Sequence, residues 1–289
     1  MNNLTLRIIT AVVGAAVFIG CLFNIYTFLF VFIALALLLH IEYVRLIKPA
    51  DLKGPYYAAG LSVAFGIMIL FLASPRPNFN QPLIAPDTYF DPVRYYLPFL
   101  IFLMLPVAFT VAVLSPAKDT IHNAAYQIMG ILYIPLGVGT FILEATTTNS
   151  VQIWYALGLL FMVWTNDSFA YFSGRLFGKR KLMERISPNK TVEGFIGGVV
   201  MTILCAFIFS LFFDEINTVE WLVWGLLVAV VGTIGDLAES LLKRSLQIKD
   251  SGSILPGHGG FLDRFDAFLL VAPVSMVYME ILRAIDGLL

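Results

Sequence analysis

LRIITAVVGAAVFIGCLFNIYTFLFVFIALALLLHI, Leu6–Ile41, is two apolar runs parted by Phe23 and Asn24. Each run is close to the length of a helix that crosses the ~30 Å hydrocarbon core of a bilayer. So short a join folds the second run back on the first as a helical hairpin. Similar runs follow at Tyr56–Ala73, Tyr95–Leu114, Ala124–Leu143, Gln152–Gly174, Val192–Phe213, Trp221–Leu242 and Phe265–Ala284. Of the 289 residues 59% are hydrophobic and only 13% charged, where a soluble domain carries about 25% charged residues. The fold expected is therefore all-α: a polytopic integral membrane bundle of about nine transmembrane helices. Arg7 followed by an apolar run is like a signal peptide, but no small-residue cleavage site follows, so the segment reads as a retained first helix.

Tyr26, Tyr43, Tyr95, Tyr96, Trp154 and Trp221 fall near span ends, where aromatic rings are expected to anchor at the membrane interface. Cys21 and Cys205 fall inside apolar runs and read as small packing residues. With the N-terminus placed in the cytoplasm, every one of the 18 Lys and Arg residues except Arg76, Arg94 and Arg283 lies on the inner side. That bias sets the orientation as N-inside with an odd number of spans. Residues 1–150 then form an N-terminal group of about five spans. Residues 151–289 form a C-terminal catalytic region with two cytoplasmic loops, 175–191 and 243–264. A net charge of −1 says little about partners, and no nucleic-acid partner is expected.

The chemistry concentrates in SLLKRSLQIKDSGSILPGHGGFLDRFD, Ser240–Asp266, where Lys243, Arg244, Lys249 and Arg264 alternate with Asp250, Asp263 and Asp266 among glycines. Upstream, Asp167 lies in VWTNDSFAYF and Asp236 in VVGTIGDLAESLLKR. A charge within a span costs about 2.5–3.5 kcal/mol on insertion scales, so such residues normally face the protein interior and act there. A single one can simply be solvated at headgroup level, but four acids at one end of the bundle make a cluster. Asp263 and Asp266 share a helix face, as do Asp236, Glu239, Ser240 and Lys243. Carboxylate oxygens suit a hard cation such as Mg²⁺, and the Cys/His cluster that zinc favours is absent.

A lone Lys or Arg in an inner loop is by default a positive-inside anchor. Interleaved with acids and glycines, these residues are better suited to phosphate, as forks or point charges. SPNKT, Ser187–Thr191, adds Ser187, Asn189 and Lys190 just before a span, where a helix N-terminus would offer N–H groups to an anion. His258, Gly259 and Gly260 allow close backbone approach, though the run lacks the ending of a Walker A loop. Read this far, the residues describe a membrane-embedded enzyme that uses Mg²⁺ and phosphate, with its substrate open.

The same stretch resembles the phosphatidate cytidylyltransferase (CDP-diacylglycerol synthase) family. The resemblance rests on Ser240, Lys243-Arg244, Lys249-Asp250, Gly252, Pro256, His258-Gly259-Gly260, Asp263-Arg264 and Asp266. Asp167–Tyr171, Ser187–Thr191 and Glu193-Gly194 are also similar. The first ~150 residues add only apolar spans. The resemblance implies a nucleotidyltransferase that joins CTP to phosphatidic acid, giving CDP-diacylglycerol and pyrophosphate for phospholipid biosynthesis. It implies a divalent cation, with room for a second, monovalent one. Asp236, Asp263, Asp266, Asp250 and Asp167 are then the metal candidates, the first two foremost. Asp236, Asp263, Asp266, Lys243 and Arg244 are the catalytic candidates. Lys190, Ser187, Asn189, Ser240, Lys249, His258, Gly259, Gly260 and Arg264 are the candidates for holding CTP or the lipid phosphate. A multi-pass protein of a bacterial inner membrane, with its site at the cytoplasmic face, is expected. Gly197-Gly198 and Gly225 permit close helix packing, which is compatible with a homodimer but does not establish one. Rival readings are a CTP-dependent lipid kinase, an ion-coupled transporter and a CDP-alcohol phosphotransferase. The charges cluster at one face and not the midplane, against a transporter. The phosphotransferase's spaced Asp motif is missing, and the complete His-Gly-Gly…Asp-Arg-x-Asp pattern argues against the kinase.

Overall fold

A computed structural model describes residues 3–47, 120–146, 150–248, 251–252 and 260–286. It contains seven helices among these residues: α1 (Asn3–Cys21), α2 (Ile25–Ile47), α3 (Thr120–Ala145), α4 (Ile153–Phe177), α5 (Val192–Phe209), α6 (Thr218–Ser245) and α7 (Leu262–Asp286). They coincide with seven of the expected spans, mostly with a few more residues at the ends. The spans expected at Tyr56–Ala73 and Tyr95–Leu114 lie outside the described residues. Four helices, α2, α5, α6 and α7, are long and apolar enough to cross a membrane. In α4 the second half carries TNDSFAYFSGR, a run of polar groups within an otherwise apolar helix.

The all-α expectation needs one correction. Between α4 and α5 the chain forms a small antiparallel hairpin, β1 (Lys181–Met183) with β2 (Ser187–Thr191). Thr191 then caps α5, its side-chain oxygen accepting from the Gly194 N–H at 3.1 Å. The Glu193 carboxylate ties the hairpin down by accepting from the backbone N–H groups of Lys179 and Arg180 at 3.0 and 3.1 Å. So the residues 187–191, expected to lead directly into a helix, first run as a strand. At the other end of the segment, Asn217 and Glu220 form a reciprocal capping box that starts α6.

α4 packs on α5, α5 on α6, α6 on α7, α7 on α3 and α3 on α2. Small residues bring these helices together. A Cβ on Gly194 would lie 2.7 Å from the Ala170 carbonyl oxygen, so α4 and α5 touch backbone to backbone. A Cβ on Gly235 would lie 2.8 Å from the Asp266 carbonyl oxygen and 2.9 Å from the Ala267 Cα, so α6 meets α7 beside the acids that each carries. Gly197 and Gly198 face Ser173 and Asn166 of α4, and Gly225 faces Ala206 of α5. These three glycines are therefore used in packing within the chain.

Around this frame Phe28, Phe32, Phe141 and Phe268 form a buried aromatic cluster, with ring centroids 4.7–5.1 Å apart along the chain of contacts. Trp154 and Trp221 correct a second expectation. They are buried inside the bundle and present no ring outward as an anchor: the two rings meet edge to face at 5.8 Å, and Trp224 lies 5.1 Å from Trp221. Gly158 leaves room for both indoles of α6. Tyr43 is buried as well and donates to the Tyr126 carbonyl at 2.7 Å, whereas Tyr26 is exposed. Tyr95 and Tyr96 lie outside the described residues. Cys21 and Cys205 are both free thiols.

Arg283, in the last turn of α7, is buried and forms ion pairs with Glu144 of α3 and, at 2.6 Å, with Glu280 of its own helix. Removing one partner of a buried pair strands the other charge, at a cost of about 3–5 kcal/mol. Arg283→Ala is therefore expected to lower the melting temperature of the purified protein in detergent by many degrees. A melting curve unchanged from wild type would show that this pair does not hold α3 to α7.

Candidate active site

Two adjoining groups of charged side chains lie where α4, β2, α6 and α7 meet. The first surrounds a cleft of about 470 Å³. Its lining includes Asp167 and Arg175 from α4, Ser187, Asn189 and Lys190 from β2, and Asp236 from α6. Lys190 forms an ion pair with Asp236 across the cleft, and both side chains keep partial access to it, at 24% and 36% exposure. Asp266, buried on α7, is near enough to Asp236, Glu239 and Asp167 for their charges to act on one another. Arg264 and Lys190 act likewise on Asp167. Asp167, Lys190, Asp236, Glu239, Arg264 and Asp266, from four separate elements, are thus brought to one locality.

The second group is more enclosed. The Lys243 ammonium sits between two carboxylates, 2.6 Å from Glu239 Oε2 one turn earlier on α6 and 2.6 Å from Asp263 Oδ1 on α7. Asp263 also accepts at Oδ2 from the backbone N–H groups of Ser251 and Gly260, each at 3.1 Å. Its two oxygens are therefore committed to one ammonium and two amides. The Glu239 side chain is buried to 1% exposure.

The remaining sequence-selected residues divide as follows. Arg244 is exposed at the end of α6, and its Nε donates to the Ile186 carbonyl at 3.4 Å, linking α6 to the hairpin. Ser240 is half-buried on α6, and Gly260 is buried just before α7. Lys249, Asp250, His258 and Gly259 lie outside the described residues. Among the described residues no group of three or more His, Cys, Asp or Glu side chains converges as a ready metal cage. A Mg²⁺ ion does not need one, since it is usually held by one or two carboxylates with water and substrate phosphates completing its shell. The all-oxygen donor set beside the cleft fits that ion and not a thiolate- or imidazole-loving one.

One residue of this neighbourhood is not among those the sequence singles out. Glu42, on α2, is 1% exposed, and its Oε2 accepts from the Leu262 N–H at 2.7 Å. The signal was a single carboxylate in the apolar run IALALLLHIEYV. Its proximity to residues more than two hundred positions later is a tertiary fact that no local pattern carries.

The two ion pairs differ in burial, and so in what they contribute. Lys243→Met leaves two enclosed carboxylates without their cation, whereas Lys190→Met exposes Asp236 to an open cleft. The first is expected to cost about 3–5 kcal/mol and the second less than about 1 kcal/mol. Melting temperatures in detergent will separate them; equal, small losses would mean that Lys243 does not hold α6 to α7.

Positions 5–282 match the model of a family described as the cytidylyltransferase family. A protein of Staphylococcus saprophyticus named phosphatidate cytidylyltransferase is 34% identical over 281 residues, covering 94% of this chain and 98% of the relative. Proteins of the same name from Staphylococcus haemolyticus and Staphylococcus aureus are 33% and 32% identical over the same length and share.

Proposed function

Because the chain belongs to the cytidylyltransferase family, we propose that it is an enzyme that transfers the cytidylyl group of CTP to phosphatidic acid. The products are CDP-diacylglycerol and pyrophosphate, and the reaction serves phospholipid biosynthesis. Similarity to three proteins named phosphatidate cytidylyltransferase over 94% of the chain is the observation that carries this reading. The charged cleft makes chemical sense of it.

In this reaction an oxygen of the phosphatidic acid phosphate attacks the α-phosphorus of CTP. The new P–O bond forms as the bond to the β-phosphate oxygen breaks, and the electron pair leaves with pyrophosphate. The nucleophile is already an anion, so no strong general base is required. The obstacle is repulsion between the lipid phosphate and the triphosphate. Phosphoryl transfer is accelerated mainly by positioning and by charges arranged in advance around the transferring group.

Lys190 and Arg264 bring positive charge to the acidic side of the cleft, and Arg175 to its lining. They would hold phosphate oxygens, with Ser187 and Asn189 donating or accepting hydrogen bonds at the strand edge. With Lys190 turned to the phosphates, Asp236 would be free to hold a divalent cation. Asp167 and Asp266 would help to hold Mg²⁺ there. Asp263 serves as a ligand if Lys243 turns from it toward a phosphate, and otherwise fixes the loop before α7. Bound Mg²⁺ supplies neutralising charge to the triphosphate, and a monovalent cation would supplement it. Lys243, Arg244, Ser240, Lys249, His258, Gly259 and Gly260 would complete the phosphate-binding set and Asp250 the metal-binding one.

The lipid reaches this cleft sideways. Tyr171 lines the cleft and is exposed, and Phe169 and Phe172 beside it on α4 are exposed too. An apolar outer face continuous with a charged cleft lets a phosphate head enter while the acyl chains stay in the membrane. The full topology that suits this is nine spans with the N-terminus and the cleft on the cytoplasmic side of a bacterial cell membrane, where CTP is available. A homodimer is compatible with it.

The test is direct. Purified protein in detergent is given phosphatidic acid and CTP labelled at the α-phosphorus, with and without Mg²⁺. Label is expected in the lipid fraction only with the metal. Asp236→Asn and Lys190→Ala are each expected to lower kcat/KM by about 100-fold or more, the scale for losing one preorganised charge at a phosphoryl centre. Lipid labelled from γ-labelled CTP, and not from α-labelled CTP, would overturn the reading in favour of a kinase.

A further inference from the structure

α7 begins at Leu262, and the residue before it is Phe261, whose side chain has no oxygen to accept from the first free N–H groups of the helix. Those groups require a partner when buried. Glu42 provides it from α2: its Oε2 accepts the Leu262 N–H at 2.7 Å, at a site where the carboxylate is 1% exposed. A negative charge is also favoured at that end by the helix dipole.

The other oxygen, Oε1, is buried and has no hydrogen-bond partner among the described residues. It faces the backbone of the motif loop. A Cβ added at Gly252 or at Gly260 would run into it, and the one at Gly260 would meet Ser251 Oγ as well. The same loop supplies, from Ser251 and Gly260, the two N–H groups that hold Asp263. Glu42 is therefore seated in a cradle that two glycines keep open, directly behind the amides that fix a site carboxylate.

We infer that Glu42 is a positioning residue for the transfer reaction, contributed by the N-terminal half of the chain. It does not touch the reacting atoms. It fixes the join between the motif loop and α7, and through Ser251, Gly260 and Leu262 it sets where Asp263 and Lys243 stand. This inference rests on the proposed function. It assigns a role in that function to a part of the chain whose helices otherwise look like simple membrane packing.

The experiment is a double-mutant cycle on the full chain in detergent, with wild type, Glu42→Asp, Gly260→Ala and the double variant. Both kcat and KM for CTP, and the melting temperature, are measured. Gly260→Ala drives a methyl group into the carboxylate, and Glu42→Asp draws the carboxylate back by one methylene. Each single change is expected to lower kcat by about tenfold, with a smaller change in KM. Because the withdrawn carboxylate makes room for the methyl group, the double variant is expected to lose less than the product of the two single losses, by about threefold or more, the coupling seen between residues in contact. Rates that simply multiply would overturn the inference. Wild-type protein that labels no lipid would overturn the proposed function instead. The contact is then judged by the melting temperatures of the same four proteins, where additive shifts overturn it and a coupled shift supports it.

Discussion

The Lys243 ammonium between Glu239 and Asp263 is the constraint from which the geometry of the site follows. Two carboxylates on neighbouring helices, both largely withdrawn from water, would repel each other in an apolar surrounding, where charge interactions are strong. One cation between them turns that repulsion into a fixed distance. It also fixes the register of α6 against α7. Once Lys243 and Asp263 are level, Asp236 two turns back on α6 and Asp266 one turn on along α7 come into range of each other. Gly235 removes the side chain that would have kept them apart.

α7 is held at both ends by charge. At its start lie Glu42 of α2 and Lys243 of α6; near its end, Arg283 reaches Glu144 of α3. Three different helices therefore restrain one helix along its length. A site that must place several phosphates in line gains from such bracing, because groups on rigid elements are held more closely than groups on loops. The N-terminal helices thus brace the helix that carries Asp263 and Asp266, although they carry none of the recognisable motif.

Much of this was legible in the sequence, and the limits follow from locality. Apolar runs gave the seven described helices nearly in place, because length and hydropathy are properties of a continuous segment. The shared face of Asp236, Glu239 and Lys243 was legible too, since i, i+3 and i+4 spacing places side chains together on any helix. What the sequence could not supply were partners. Nothing near Lys190 says that its counter-ion is Asp236, and nothing near Glu42 points to Leu262. The β1–β2 hairpin escaped notice because KLMERISPNKT has too few alternating apolar residues to announce a strand. Trp154 and Trp221 misled for the opposite reason: their position near span ends fits an anchor, and only tertiary packing, Trp154 against Trp221 with Gly158 making room for Trp221, turns them inward.

The distribution of side chains on α5 shows where its small residues are used within the chain. Gly194, Gly198, Thr202 and Ala206 recur every four residues and are all buried against the chain's own helices. Ile196, Val200, Leu204, Phe207 and Ile208 are exposed on the outer side. Small residues lie inside and large apolar ones outside, the reverse of a helix in water. In a bilayer that order is sensible, because lipid solvates Val and Phe as well as a protein core does and helices gain by close backbone approach. The sequence shows small residues at helical spacing but not which neighbour they meet. Here the neighbours are α4 and α6, the helices that carry Asp167 and Asp236. Close packing through α5 therefore sets the width of the cleft between those two acids, and the glycines serve the chemistry by staying small.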